Sequence, residues 1–147
     1  KAKAQELNLT IESVLLTHYP SDFVIGAYEL ALEPLTLKDG HKITVGEITV
    51  TAISTPGVTK EECFCLLVSD KDNKEDLLLT GYTLIVDDLG KPDVAFGDKP
   101  EVLADLLYES LKKLKSLSPS LKVYPGRGDK HVGELGNLVS LQNLPSK

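Results

Sequence analysis

Hydrophobic and polar positions along the chain sort into a helix at each margin and strands between them. Lys1 to Asn8 has the amphipathic spacing of the last turns of a helix, ending near Asn8. Ile11 to Thr17 (IESVLLT) is a nearly continuous apolar run, the pattern of a strand buried on both faces. A polar turn, His18 to Asp22, follows, and Phe23 to Leu32 returns to helical spacing, with Ala27, Leu30 and Ala31 on one face until Pro34 ends it. Asp39-Gly40 marks a hairpin-type turn. Ile43, Val45, Ile48, Val50 and Ala52 sketch two strands around Gly46-Glu47. Thr55-Pro56-Gly57 breaks the pattern. Cys63 to Ser69 (CFCLLVS) and Asp76 to Thr80 (DLLLT) read as a hairpin across the charged turn Asp70 to Glu75.

Gly81 to Phe96 is loop-rich. Lys99 to Leu117 is the clearest helix: Pro100 suits its first turn, apolar residues recur at three and four, and Lys112, Lys113 and Lys115 complement the dipole at its end. Leu121 to Tyr124 is a last strand, followed by the turn Pro125-Gly126-Arg127-Gly128. From Gly133 onward the pattern is weak and partial disorder is expected. Strands in the middle with helices at the margins predict an α/β (α+β layered) fold, one domain over residues 1–147.

Composition narrows the function classes. The chain has 22 acidic residues against 16 Lys and Arg, a formal net charge of −6, which argues against a nucleic-acid surface, where clustered cations are needed. No apolar run is long enough to span a bilayer, so no membrane partner is expected. The opening residues read as a helix and not as a secretory signal. Cys63 and Cys65 are one residue apart; on a strand they share a face and cannot form an unstrained disulfide. Reduced, buried thiols fit a cytoplasmic location.

Candidate chemistry collects in four strand-end loops: Thr17-His18-Tyr19-Pro20-Ser21-Asp22-Phe23, Thr55-Pro56-Gly57-Val58-Thr59, Thr80-Gly81-Tyr82-Thr83-Leu84 and Tyr124-Pro125-Gly126-Arg127-Gly128. In order and spacing they resemble the metallo-β-lactamase superfamily, whose loops read T-H-x-H-x-D-H, T-P-G-H-T, T-G-D-T-L and Y-P-G-H-G. The resemblance runs from about Ala4 to about Gly136. It is nearest to the persulfide dioxygenase-like, rhodanese-linked branch: Thr17 to Gly26 resembles T-H-x-H-A-D-F-x-S-G with Phe23 in place, and Gly81 to Val94 resembles G-D-T-L-F-V-G-D-V-G-R-P-D-L. Gly133-Glu134-Leu135 fits the stretch after the last histidine loop. The resemblance implies an αββα sandwich with a metal, iron or zinc, held by loops at one edge of two sheets.

At the ligand positions the chain departs from that pattern. His18 and Asp22 are kept, but Pro20, Val58 and Arg127 stand where the family has histidines, and Tyr82 where it has aspartate. The branch holds iron through the first histidine, the T-P-G-H histidine and the G-D aspartate; of these only His18 remains. One imidazole and one carboxylate are too few for firm binding, so no cofactor is expected, and His18 and Asp22 are vestigial. Loss confined to ligands, with the surrounding Gly, Pro and Thr retained, points to a natural pseudoenzyme or an engineered scaffold.

Four functions follow as alternatives. The first is an inactive or redesigned domain whose former metal pocket, made apolar by Pro20, Phe23, Val58 and Cys63, takes a small-molecule ligand through His18, Asp22, Tyr82 and Arg127; equally, Val58 and Tyr82 simply fill the hole. The second is a metal-independent, esterase-like hydrolase with His18 as general base beside Asp22 or Tyr82, Arg127 stabilising an anion, and Cys63 a conceivable nucleophile. The third is retained metal-dependent persulfide dioxygenase or thioester hydrolase activity. The fourth is a self-associating module: relative to the family, N-terminal strands and a strand between Leu32 and Leu37 are missing, and an open sheet edge invites a homodimer. His41 and His131 read as surface residues, and Lys91 and Asp93 as parts of a braced loop.

Overall fold

The computed structural model describes residues 2–19, 26–72, 74–85, 88–92, 97–126 and 133–135. Its centre is a sheet of six strands: β1 (Lys42–Val45), β2 (Ile48–Ser54), β3 (Phe64–Ser69), β4 (Glu75–Gly81), β7 (Lys122–Pro125) and β8 (Gly133–Glu134), in the order β1-β2-β3-β4-β7-β8. All neighbours are antiparallel except β4 and β7, which are joined by the crossover helix α2 (Pro100–Lys115). A two-stranded ribbon, β5 (Leu84–Ile85) with β6 (Asp88–Leu89), lies between β4 and α2 in the chain, and a short helix α1 (Ala2–Glu6) precedes the sheet. The architecture is mixed α/β, a sheet covered on one face by a helix.

Turn chemistry sets the registers. Gly46 takes φ 60°, the left-handed conformation a two-residue hairpin needs, and Val45 pairs with Ile48 across it. Between β3 and β4, Oδ1 of Asp70 accepts the backbone N–H groups of Asp72 and Lys74, both at 2.9 Å, folding the turn back on itself. At the head of β1, Asp39 accepts from the Ser54 backbone N–H at 2.7 Å and pairs with Lys113 of α2 at 3.3 Å. The Ser54 N–H, then the lysine, hold the Asp39 carboxyl below its ordinary range.

Strand alternation divides the sheet into two apolar faces. On one, Cys65, Leu67, Leu78 and Val123 pack under Leu107, Leu111 and Leu114 of α2, with Leu84, Leu121 and Leu135. On the other, Val50, Ala52, Phe64 and Leu66 pack with Leu37, and Leu15, Ile43, Val68 and Leu79 are partly buried against them.

Two elements differ from the sequence expectation. Ile11–Thr17 forms no strand. Isolated backbone bonds hold it: the Leu35 N–H donates to the Val14 carbonyl at 2.9 Å and the Phe64 N–H to that of Thr17 at 2.7 Å. Its apolar run answers to the second sheet face, where Leu15 packs, and not to a hydrogen-bonded ladder. The helix expected over Phe23–Leu32 is, in its described part, one 3₁₀ turn (Tyr28–Leu30), closed by Ala31 at φ 54° just before Pro34. Residues 20–25 lie outside the described residues. Gly133–Glu134, the start of the weakly patterned stretch, pairs with β7, and Leu135 is buried behind it. Among the described residues, no helix is long and apolar enough to cross a membrane.

Candidate functional site

The first three strand-end loops meet beside the sheet, joined through side chains and glycine backbones. The Phe64 N–H pins Thr17 to β3, which fixes the next residue, His18. The imidazole is buried, and its Nδ1 lies 3.2 Å from Oγ1 of Thr17. Gly81, at φ 51°, lies so close to the Thr17 side chain that a Cβ there would overlap it. This contact delivers Tyr82 to His18. Their ring centroids are 4.3 Å apart with the planes tilted by 40°. The fourth loop is tied in by the Gly126 N–H, which donates to the Gly81 carbonyl at 2.7 Å.

The Thr55-Pro56-Gly57 loop is anchored from the helix. Ser110 Oγ of α2 donates to the Pro56 carbonyl at 2.7 Å, and Gly57, at φ 135°, lies against the backbone of Leu107, where no side chain fits. Val58 is thereby turned inward and is 4% exposed. Gly90, held by its N–H bond to the Thr83 carbonyl at 3.1 Å, fits against one Val58 methyl and the Tyr82 carbonyl; a Cβ at Gly90 would overlap each. His18, Tyr82, Gly90 and Val58 thus form one continuous packed group.

Beneath it runs a buried network that the sequence reading missed. Thr55 Oγ1 and Thr83 Oγ1 are 3.0 Å apart, Thr55 Oγ1 is 3.5 Å from Cys65 Sγ, Cys63 Sγ is 3.7 Å from Thr83 Oγ1, and Thr80 Oγ1 donates to the Leu84 carbonyl at 3.0 Å. The signal was present: threonines recur in T-P-G-x-T and T-G-x-T, flanking two replaced ligands. Both cysteines are buried free thiols. Burial pushes the Cys63 thiol up and that of Cys65 up to about 12, which disfavours the thiolate a nucleophile needs.

Of the site residues read from sequence, the structure brings His18 and Tyr82 into contact, places Val58 beside Tyr82 through Gly90, and joins Cys63 to the threonine network. Pro20, Asp22, Phe23, Asp93, Arg127 and His131 lie outside the described residues. His41 is exposed at the head of β1. Next to His18 opens a cleft of about 330 Å³ lined by Tyr19, Thr59, Lys60, Glu61, Glu62 and Asp98; no motif pointed to it.

His18, Val58 and Tyr82 stand at the three positions where the sequence resemblance places metal ligands. Val58 has no donor atom. The Tyr82 ring lies against the imidazole of His18, with centroids 4.3 Å apart. Among the described residues, no three His, Cys, Asp or Glu side chains converge.

Fold and loop order together define a metallo-β-lactamase fold. The structure superposes on a metallo-β-lactamase from Staphylococcus aureus with TM-score 0.78 at 23% identity, covering 92% of this chain and 48% of that one. It superposes on ETHE1 from Myxococcus xanthus with TM-score 0.73 at 22% identity, covering 98% of this chain and 75% of that one. No family model matches the sequence. An uncharacterized protein of Mycobacterium tuberculosis is 35% identical over 92 residues, 63% of this chain and 39% of its own length. The probable polyketide biosynthesis zinc-dependent hydrolase BaeB of Bacillus velezensis is 27% identical over 161 residues, 93% of this chain and 66% of its own. The chain therefore spans about two-fifths of the mycobacterial relative and about half of the staphylococcal one. It is a metallo-β-lactamase-fold chain with hydrolase-like relatives.

Proposed function

We propose that this chain is a member of the metallo-β-lactamase superfamily, nearest the persulfide dioxygenase-like branch, whose metal centre has been replaced by packed side chains, and that it is inactive in the family's metal-dependent reaction. The contact between His18 and Tyr82, 4.3 Å between centroids, carries this reading. A phenol ring fills the place of a ligating carboxylate, and Val58 and Gly90 close the space beside it. The loops carrying Val58 and Tyr82 are tied together by the Thr55–Thr83 pair, and the Tyr82 loop is held against Thr17 at Gly81, so these connections persist where the donor side chains differ. Sequence similarity to a zinc-dependent hydrolase supports descent from a metal-using ancestor.

The test is a zinc and iron(II) titration of the chain beside a Val58→His/Tyr82→Asp variant, followed by calorimetry. The unmodified chain is expected to show no saturable binding at micromolar metal, and the variant to bind zinc at least about 10-fold more tightly. One equivalent bound tightly by the unmodified chain overturns the reading, whatever the variant does.

A further inference from the structure

The cleft beside the packed group has the volume, about 330 Å³, of a small-molecule site, and its walls differ in chemistry from the apolar plug next to it. Tyr19 supplies an aromatic wall, 36% exposed. Glu61, Glu62 and Asp98 supply carboxylates. The opposite charge comes from Lys60, whose ammonium lies 3.9 Å from Asp98. Among the described residues, Glu61 and Glu62 form no ion pair, so the cleft retains net negative charge in a chain that is itself acidic.

The lining is positioned by the same loop that carries Val58. Thr59 Oγ1 donates to the Glu61 carbonyl at 2.7 Å, which tightens the turn, and Glu62 stands at φ 53°, where a non-glycine residue is uncommon. Burial and then the neighbouring Glu62 charge push the Tyr19 phenol up. An aromatic face beside carboxylates attracts cations through the ring quadrupole and Coulomb's law together. The same field repels an anionic thiol such as glutathione.

We propose that this cleft binds a small organic cation, a primary ammonium or guanidinium group, with its charge between Glu61 and Glu62 and its alkyl portion against Tyr19. The proposal is independent of the metal question: metal bound at His18 would overturn the proposed function and leave the cleft's charge and shape as they are.

The test is amide chemical-shift mapping of the isotopically labelled chain with 1,4-diaminobutane, with 1,4-butanediol and glutathione as the neutral and anionic comparisons. Saturable shifts confined to Tyr19, Thr59 to Glu62 and Asp98 are expected from the diamine only, at millimolar concentration. Glu61→Gln and Glu62→Gln, both exposed substitutions, are each expected to weaken binding about two- to five-fold with the remaining spectrum unchanged. Absence of saturation, shifts scattered over the acidic surface including the Asp70 turn, equal response to the diol, or stronger binding of glutathione would each overturn it.

Discussion

Tyr82 lies against His18 with ring centroids 4.3 Å apart, at the point where the loop ending β4 touches the segment carrying Thr17 and His18. The contact follows from Gly81, whose missing side chain lets the Thr17 side chain approach. Tyr82 is therefore a packing residue joining two loops. Tyr82→Ala is expected to destabilise the chain by about 2 kcal/mol in urea denaturation, through lost aromatic burial. Stability unchanged within error would show that the contact carries no weight.

The hydroxyl pair Thr55–Thr83 makes a second, separable prediction. At 3.0 Å and fully buried, each hydroxyl relies on the other. Thr83→Val keeps the shape but leaves Thr55 with only its 3.5 Å contact to the Cys65 thiol. A loss of about 1–3 kcal/mol is expected, and a smaller one for Thr83→Ser, which restores the hydroxyl. Equal losses for the two variants would assign the effect to shape and not to the hydrogen bond.

Two glycines with positive φ separate strain from collision. Gly46, at φ 60°, has open space around it, so Gly46→Ala costs conformational strain alone, about 1 kcal/mol. Gly57, at φ 135°, lies against the Leu107 backbone. Gly57→Ala adds overpacking to strain and is expected to cost about 3 kcal/mol or more. Thermal or urea denaturation of both variants checks the order, and a costlier Gly46→Ala would contradict the packing of α2 on the second loop.

Most strands were legible because their alternation is strong. Val50 and Ala52 point to one face and Ile53 to the other, and β3, β4, β7 and α2 fall within a residue or two of their expected bounds. The run Leu15-Leu16 looked equally strand-like, but an apolar run reports burial and not the partner that buries it, and here the sheet face does so. The loop motifs led to His18, Val58 and Tyr82 as neighbours. They gave no hint that Gly90 fits between Val58 and Tyr82, a contact between residues 32 positions apart, Val58 and Gly90, that no local pattern encodes. The cleft escaped notice for the same reason: Tyr19, Glu62 and Asp98 come from separate parts of the chain.

The buried thiols give the pH dependence a sign. Cys65 has an ordinary pKa of 9.0 and is pushed up to about 12 by burial, so the folded chain keeps a proton that the unfolded chain gives up. This contribution is fully present below pH 9.0 and is lost as pH rises toward 12. The loss is at most about 1.4 kcal/mol per pH unit for the one thiol. Denaturation midpoints between those limits should fall less steeply for Cys65→Ala than for the unmodified chain; identical slopes would contradict the buried, protonated thiol.

The replacement of the metal centre is tested most directly by the metal content of the purified chain, prepared without chelator and measured by elemental mass spectrometry. The packed group of His18, Tyr82, Gly90 and Val58 predicts iron and zinc far below one equivalent, before and after incubation with either metal. Near-stoichiometric iron or zinc that survives gel filtration would contradict it and would return metal-dependent hydrolysis or oxidation to this fold.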